Sequence, residues 1–277
     1  MTSTVRLRFL VLTGFAFVLG CETAPPVKED ILLANRLPGI RRILMIPAEI
    51  HVSEVDVLGD QKMLYDQSKA SANALTRSIV TLLEGLGYEV RLLKVDEKML
   101  ETHPDIENDL AFLKEKFVGF SGGIEKRYLE RKAPEKLDIS LGTEVNVFAD
   151  LFEVDALVFA SATGVIKSEK LVKRDISKAV FASVVTFGDV ETSLRVLGIP
   201  YGAGYLHVGL VDADTGKLLW HGFNDQGLRY DATDIQSLSE MVDYTLKKFP
   251  ASKSNAAAVI TNVGRMEKID GRKVMVV

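Results

Sequence analysis

The spacing of apolar residues changes along the first third of the chain. A short continuous run is followed by a helical spacing and then by a second short apolar segment. The run over 41–46 ends at Pro47, which predicts a buried strand. A second strand is predicted over 88–95, where apolar positions partly alternate. Between the two strands, one helical face over 68–86 is apolar: Leu75, Ile79, Leu82, Leu83 and Leu86. This strand–helix–strand unit is typical of two parallel strands joined by a crossover helix.

The middle of the chain repeats this pattern and then changes to paired strands. An apolar helical face predicts a helix over 142–153, and the almost continuously apolar run 154–162 predicts a strand covered on both sides. Strands over 205–212 and 217–223 flank the turn Ala213-Asp214-Thr215-Gly216, which predicts an antiparallel hairpin.

The last predicted helix spans 234–249. Thr233 and Gln236 have the spacing of a capping box, in which the threonine hydroxyl accepts from an amide N–H and the glutamine reaches back. Pro250 ends this helix, whose apolar face comprises Ile235, Leu238, Met241, Val242, Leu246 and Phe249. The tail, 251–277, is predicted to close with a hairpin about Asp270-Gly271 or to fray.

Together these elements predict an α/β sandwich, in which helices cover a mixed sheet of four or five strands. The domain is predicted to span 39–250, a size that one domain with insertions would use. Two stretches, 96–140 and 164–204, do not fit the repeating pattern and are interpreted as the insertions.

The stretch 174–197 has two interpretations. Read as a helix that covers the sheet, it carries one apolar stripe: Ile176, Val180, Val184, Phe187, Val190, Leu194 and Leu197. Read as strands, 179–187 has the roughly 9–11 residues of a membrane-crossing barrel strand, but apolar and polar residues alternate poorly there. The helix is the favoured prediction. Five cations in and before the stretch face either anionic headgroups or solvent: Lys167, Lys170, Lys173, Arg174 and Lys178.

A positive and then apolar N-terminal segment precedes the domain. Arg6 and Arg8 are followed by an apolar run over 9–19, well short of the roughly 20 residues that span a bilayer. The pattern predicts a signal peptide over 1–20, so that the chain is exported. A polar tether over 21–38, stiffened by two prolines, is predicted to follow it.

Val18-Leu19-Gly20-Cys21 resembles the lipobox of bacterial lipoproteins. The resemblance implies that the thiol of Cys21, the only cysteine, carries a lipid, with palmitate among several acyl chains that anchor the protein. It also implies a protein of the outer membrane that faces the periplasm, because Glu22 and not an aspartate follows the cysteine. The alternative is an ordinary secretory signal with a free thiol, which an oxidising compartment disfavours.

Gly119-Phe120-Ser121-Gly122-Gly123 matches the G-x-S-x-G pattern of a hydrolase nucleophile elbow. That chemistry needs a strand before the serine, a helix after it and a downstream histidine, for which His207 and His221 are present. The residues before Gly119 read instead as a charged helix. The favoured prediction is therefore a flexible glycine–serine loop without a catalytic residue, and a serine hydrolase at Ser121 is the least favoured alternative.

No metal or cofactor site is predicted. His207 and His221 fall on paired strands, but two histidines without a third ligand make a weak metal site, so half-exposed sheet positions are predicted. Asp212 and Asp214 lack the residue pattern of a calcium loop and are explained by a hairpin turn. The glycines of 198–204 lack the spacing of a dinucleotide fingerprint. A net charge of −4 does not indicate nucleic-acid binding.

Three segments carry a resemblance to a known group: Gly87–Val90, Asp155–Phe159 and Asp212–Trp220. Over about residues 41–250 the chain is similar to periplasmic lipoproteins of the curli-secretion (CsgG-like) and TolB N-terminal-domain-like group. The resemblance implies a non-enzymatic accessory of envelope assembly or secretion, which contacts envelope or secretion proteins. An alternative is an oligomeric, pore-forming secretion subunit, so self-association is left open.

Overall fold

The computed structural model describes residues 27–129, 137–175, 177, 202–252, 265–269 and 272–276. An open, mixed sheet of eight strands runs through the described residues, and helices contribute to hydrophobic cores on both of its faces. The predicted α/β class is therefore confirmed, with more strands than the four or five expected.

The strands of the large sheet are β1 (Val27–Glu29), β2 (Arg42–Met45), β3 (Glu49–Val55), β4 (Gln61–Met63), β5 (Glu89–Leu92), β6 (Ala156–Lys167), β7 (Gly202–Asp212) and β8 (Leu218–Phe223). A separate pair consists of β9 (Arg265–Ile269) and β10 (Arg272–Val276). The helices are α1 (Leu33–Arg36), α2 (Tyr65–Gly85), α3 (Glu97–Thr102), α4 (Ile106–Leu129), α5 (Val145–Phe152) and α6 (Ile235–Thr245). Within the described ranges, none of the helices combines the length and apolarity needed to span a bilayer.

The large sheet has the strand order β1-β8-β7-β6-β2-β5, and β3 and β4 extend it beside β6. β2 runs parallel to the first part of β6, and β3 runs parallel to its second part, Ser161–Lys167. β7 runs antiparallel along nearly the whole of β6. The two ends of this long strand pair define the two ends of the sheet. We call the end at Lys167, which carries the β3–β4 turn, the upper end, and the end at Asp212 the lower end.

The first predicted unit, β2–α2–β5, is confirmed. β2 and β5 pair in parallel along their full lengths. Leu75, Ile79 and Leu83 of α2 are fully buried, as their common helical face predicts. Gly87, with φ at +91°, lies between α2 and β5 in a conformation that glycine adopts without steric cost.

Successive residues of the central strands alternate between two hydrophobic cores. Ile43 belongs to the core shared with α2 and α6, whereas Leu44 belongs to the core shared with α3, α4 and α5. Val158 and Phe159 of β6 divide in the same way. Because both faces of these strands are buried, their sequences read as continuous apolar runs, as predicted for 154–162.

Helices α3 and α4 lie in the stretch 96–140, which was interpreted as an insertion, and they pack on the sheet. Leu113, Phe117 and Ile124 of α4 are buried in the second core. The ring of Phe117 lies 5.6 Å from the ring of Phe159 on β6, centroid to centroid. The segment is therefore part of the layer that covers the second face of the sheet.

The packed domain also begins before the predicted boundary at residue 39. Residues 27–29 pair with β8 as β1, and Leu33 of α1 is buried, although both were assigned to the tether. The predicted insertion 164–204 likewise starts and finishes in the sheet, in β6 and β7. Residues 176 and 178–201 lie outside the described residues, so both interpretations of 174–197 stay predictions.

Both predicted hairpins are present. β7 and β8 pair antiparallel across the turn that contains Gly216, whose φ is +63°. A Cβ atom at residue 216 would lie 2.0 Å from the carbonyl oxygen of Gly142, so only glycine fits there. β9 and β10 pair antiparallel in the tail, from Arg265 with Val276 to Ile269 with Arg272.

The predicted capping box of the last helix is wrong by one residue. Asp234 is the N-cap of α6, and its carboxylate accepts from the amide of Ser237 at 2.7 Å. The hydroxyl of Thr233 instead donates to Asp231 at 2.7 Å. Ile235, predicted on the apolar face, is 67% exposed, and the helix ends at Thr245 and not at Phe249.

We expect Asp234→Ala to lower the free energy of unfolding by about 0.5–2 kcal/mol, because it removes the N-cap acceptor of α6. Gln236→Ala is the matched control, since the side chain of Gln236 is exposed and bonds Glu240 on the helix surface, and this change should alter stability by less than about 0.5 kcal/mol. Urea titration of both variants measures the difference. A larger loss of unfolding free energy in Gln236→Ala than in Asp234→Ala would support the predicted capping box instead.

Candidate functional site

A cleft of about 620 Å³ opens beside the end of β1, at the lower end of the sheet. Leu33 and Leu137 line it as buried apolar residues, and Ile31, another lining residue, is 86% exposed. The remaining lining residues are Glu29, Asp30, Leu32, Ala34, Asp138 and Lys217. The cleft therefore combines apolar lining with charged residues.

Asp30 shapes the wall that carries Ile31. Its amide donates to the carbonyl oxygen of Leu219 at 2.8 Å, which continues the pairing of β1 with β8. Its carboxylate accepts from the amide of Leu32 at 2.7 Å, and its carbonyl oxygen accepts from the amide of Leu33 at 3.0 Å. This turn buries Asp30 and Leu33 and leaves Ile31 in solvent.

The opposite side of the cleft is formed by residues that run beside the start of β8. The amide of Leu218 donates to the carbonyl oxygen of Ile139 at 2.9 Å, which places Leu137 and Asp138 next to β8. Lys217 and Asp138 form an exposed ion pair at 3.4 Å, worth less than about 1 kcal/mol. An apolar patch with a polar, solvated edge is the usual anatomy of a protein-contact surface.

β1 is also an edge strand. It pairs with β8 on one side, and no described strand pairs with its other side. The unpaired backbone groups of an edge strand can bind an extended segment of another chain as an added strand. The cleft and the edge therefore lie together at the lower end of the sheet.

An ion-pair network fixes α1 to the β7–β8 turn below the cleft. Arg36 donates two hydrogen bonds to the buried carboxylate of Asp212, at 2.9 and 2.7 Å, and also contacts Asp214. Hydrogen bonding to Asp214 and Asp212 raises the pKa of Arg36. Thr215 donates to Asp212 from its amide at 3.2 Å and from its hydroxyl at 2.5 Å. This geometry confirms that the two aspartates belong to a hairpin turn.

Ser121 does not lie in a loop or at a nucleophile elbow. It is 1% exposed and lies within α4, where a helical turn precedes it and not a strand. Both the flexible-loop prediction and the elbow hypothesis are therefore wrong. Leu113, Phe117, Ser121 and Ile124 share the inward face at helical spacing, which the three neighbouring glycines obscured in the sequence.

His207 and His221 face each other, but they are buried and not half-exposed as predicted. Their ring centroids lie 5.5 Å apart, and the rings are nearly stacked. The ring of His221 also lies 5.6 Å from Phe120 and 6.3 Å from Phe117, both on α4. Burial, and to a lesser extent the neighbouring His207, lowers the pKa of His221 to about 3, so His221 is neutral near pH 7.

The described residues contain no cluster of side chains suited to binding a metal ion. No group of three or more His, Cys, Asp or Glu side chains among them is arranged to hold a metal ion. Both ring nitrogens of the buried His221 have no hydrogen-bond partner among the described residues. The histidine pair therefore offers two ligands of one residue type and no carboxylate.

Some of the other positions named from the sequence lie outside the described residues. They include Cys21, Lys178, Val184 and Gly198. Residues 169–175 are helical at the upper end, where Lys167 pairs with Asp175 at 2.9 Å. The sequence did hold one unused signal for the cleft, since the apolar run Ile31-Leu32-Leu33 interrupts a segment interpreted as polar.

No family model matches the sequence, and no curated protein matches it. Three solved structures resemble the chain. The PelC dodecamer from Paraburkholderia phytofirmans has 9% sequence identity and a TM-score of 0.36, covering 83% of this chain and 96% of that one. Lipoprotein GNA1162 from Neisseria meningitidis has 13% identity and a TM-score of 0.26, covering 66% and 77%. The C-terminal domain of LpoB from Salmonella enterica has 13% identity and a TM-score of 0.24, covering 67% and 82%. These likenesses are too distant to assign a family or a function.

Proposed function

We propose that this chain is a lipoprotein anchored in the outer membrane through Cys21, which acts in the periplasm as a non-enzymatic accessory of envelope assembly or secretion. The observation that supports a function through protein–protein contacts is the cleft beside β1, where Ile31 is exposed at an open strand edge. Ile31, which is 86% exposed, adjoins the apolar lining of a cleft of about 620 Å³, and an apolar patch with a polar rim is typical of a contact surface.

The partner surface that fits this cleft is an extended segment of an envelope protein. Such a segment would pair with the outer edge of β1 through its backbone and place apolar side chains against Leu33 and Leu137. The exposed pair of Lys217 and Asp138 would meet polar groups at the rim, where charges influence partner choice more than affinity.

The anchor supports this role because it would hold the cleft in the envelope. The lipobox-like segment ends at Cys21, and β1 begins at Val27, so residues 22–26 alone separate the lipid from the sheet. Several acyl chains give stable membrane attachment, since each buried methylene contributes about 0.8 kcal/mol.

One observation favours the second candidate, a pore-forming subunit. β6 and β7 stay paired up to Ile166 and Gly202, on either side of residues 168–201. However, a Cβ atom at Gly164 would lie 2.3 Å from the Cβ of Ala232, so protein already covers the ladder there. The accessory role remains our proposal.

A photo-crosslinking side chain at position 31 is expected to give a discrete adduct with one envelope protein in intact cells. The same side chain at Ile235, which is 67% exposed on α6, is the control and should give none. Ile31→Asp should weaken binding of the identified partner by about tenfold or more, the usual effect of a central interface residue. Cys21→Ser should lose both lipid labelling and the adduct.

Two results would contradict the proposal. Retention of Cys21→Ser in the membrane after a high-salt wash would overturn the lipid anchor. Equal adducts from positions 31 and 235, or unchanged partner binding by Ile31→Asp, would overturn the cleft as the contact surface.

A further inference from the structure

The direction of β1 shows which of its residues lies nearest to the upper end of the sheet. β1 is antiparallel to β8, β8 is antiparallel to β7, and β7 is antiparallel to β6. Because β6 runs from the lower end to the upper end, β1 runs downward. Val27, the first residue of β1, is therefore the residue of this strand nearest to the upper end.

The length of chain between Cys21 and Val27 limits where the lipid can lie. Six residue steps span at most about 22 Å when fully extended. Through the strand registers, Val27 lies level with Ala160 of β6. The upper end at Lys167 is seven residues further along β6, or about 23 Å at the rise of a strand. A fully extended segment would thus bring Cys21 to within about 1 Å of the level of Lys167, and the lipid on its thiol would extend past that level.

The most prominent feature of the upper end is an ordered turn that presents Leu58 to solvent. Leu58 is 83% exposed. The carboxylate of Asp56 accepts from the amides of Leu58 and Asp60, at 2.8 and 3.0 Å, and Gly59 has φ at +92°. Arg174 donates to the carbonyl oxygen of Val57 at 2.9 Å. These bonds hold a large apolar side chain at the tip, and among the described residues it belongs to neither hydrophobic core.

Residues around this tip have the character of a membrane interface. Lys62, Lys170 and Lys173 are exposed, with stems that can lie along apolar surface while the ammonium stays in water. Acidic residues are interspersed, Asp60 and Glu169 among them, so the end suits zwitterionic as well as anionic headgroups.

We propose that the upper end of the sheet rests on the phospholipid surface in which Cys21 is anchored, with Leu58 inserted at the headgroup level. This inference rests on the lipid anchor proposed above. β6 is twelve residues long, so the lower end lies about 40 Å away along the strands. Ile31 and the cleft therefore point away from this membrane, toward periplasmic partners.

Tryptophan reporters test this orientation in the full-length lipoprotein. The only native tryptophan, Trp220, is fully buried, so an added indole dominates any quenching by lipid. The lipoprotein is reconstituted in phosphatidylethanolamine–phosphatidylglycerol vesicles whose acyl chains are brominated. Leu58→Trp should lose roughly half of its added emission, as expected for a side chain at the headgroup–acyl boundary. Ile31→Trp is the matched control at the other end and should emit as in unbrominated vesicles.

The possible results distinguish the proposed orientation on the membrane from the proposed lipid anchor. Vesicle flotation together with quenching at position 58 alone supports the orientation. Flotation with equal quenching at 31 and 58, or with none at 58, overturns the orientation and leaves the anchor in place. Failure of the protein to float with the vesicles overturns the anchor and the orientation with it. Both substituted side chains are exposed, so neither change disturbs the core.

Discussion

Phe117→Ala is expected to lower the free energy of unfolding by about 3–5 kcal/mol, the usual loss for a buried aromatic side chain. Phe117 is 1% exposed and joins α4 to the sheet. Its ring lies 5.6 Å from the ring of Phe159 and 6.3 Å from that of His221. A Cβ atom at Gly209 of β7 would lie 2.5 Å from Cε2 of Phe117, so the sheet leaves a space that this ring fills. Alanine would leave a cavity there.

Phe112→Ala provides the matched control in the same helix. Phe112 is 44% exposed, so its truncation should cost less than about 1 kcal/mol. Urea unfolding followed by circular dichroism measures both variants. Equal losses at 112 and 117 would contradict the packing of α4 on the second face of the sheet.

The elements that the sequence predicted correctly are those with one strong local signal. α2 buries Leu75, Ile79 and Leu83, the same face that its spacing predicted. The β7–β8 hairpin follows from a turn whose Gly216 needs a positive φ. In both elements, the residues that form the sequence pattern are also the residues that the packing requires.

The continuation of α4 beyond Gly119 was missed because two local signals conflict there. Gly119, Gly122 and Gly123 each disfavour a helix by roughly 1 kcal/mol relative to alanine. The structure has nothing within 4 Å of a Cβ atom at any of the three, so packing does not require glycine. The helix forms because Leu113, Phe117 and Ile124 are buried in the second core, and this tertiary burial outweighs propensity.

The edge strands were missed for a different reason. β1 and β4 have three residues each, too few for a period to be read. Val27–Glu29 also follows two prolines in a polar segment, which favours a tether by composition. The cleft beside β1 depends on these pairings, so it could not be predicted from sequence alone. The burial of His207 and His221 likewise depends on α4, which covers a face expected to meet solvent.

His221 makes the fold sensitive to acid. The side chain is fully buried, and within the described part of the chain neither of its ring nitrogens has a hydrogen-bond partner. The titratable residues that the described structure sets beside it are His207 on β7 and Lys28, its register partner on β1. Neither side chain carries a negative charge, so neither stabilises a positive charge on the imidazole of His221. Burial, followed by His207, lowers the pKa of His221 from 6.5 to about 3.

This lowered pKa makes the unfolded chain the stronger proton binder at mildly acidic pH. The unfolded chain takes up a proton on His221 near pH 6.5, whereas the folded protein does so only near 3. The contribution of His221 to stability is therefore intact above 6.5 and is lost as the pH falls from 6.5 toward 3. At about pH 4.5 the loss amounts to about 2–3 kcal/mol relative to neutral pH.

His221→Leu should remove this part of the acid sensitivity, because leucine fills a similar volume and takes up no proton. Between about pH 7.5 and about pH 4.5, the variant should lose about 2–3 kcal/mol less unfolding free energy than the unchanged protein. At neutral pH it should be nearly as stable, since the imidazole it replaces makes no hydrogen bond. His51→Leu, at an exposed position on β3, is the control and should keep the full acid loss. Urea titrations at the two pH values measure all three proteins, and parallel losses in the His221 variant and the unchanged protein would show that His221 is not the acid-sensitive group.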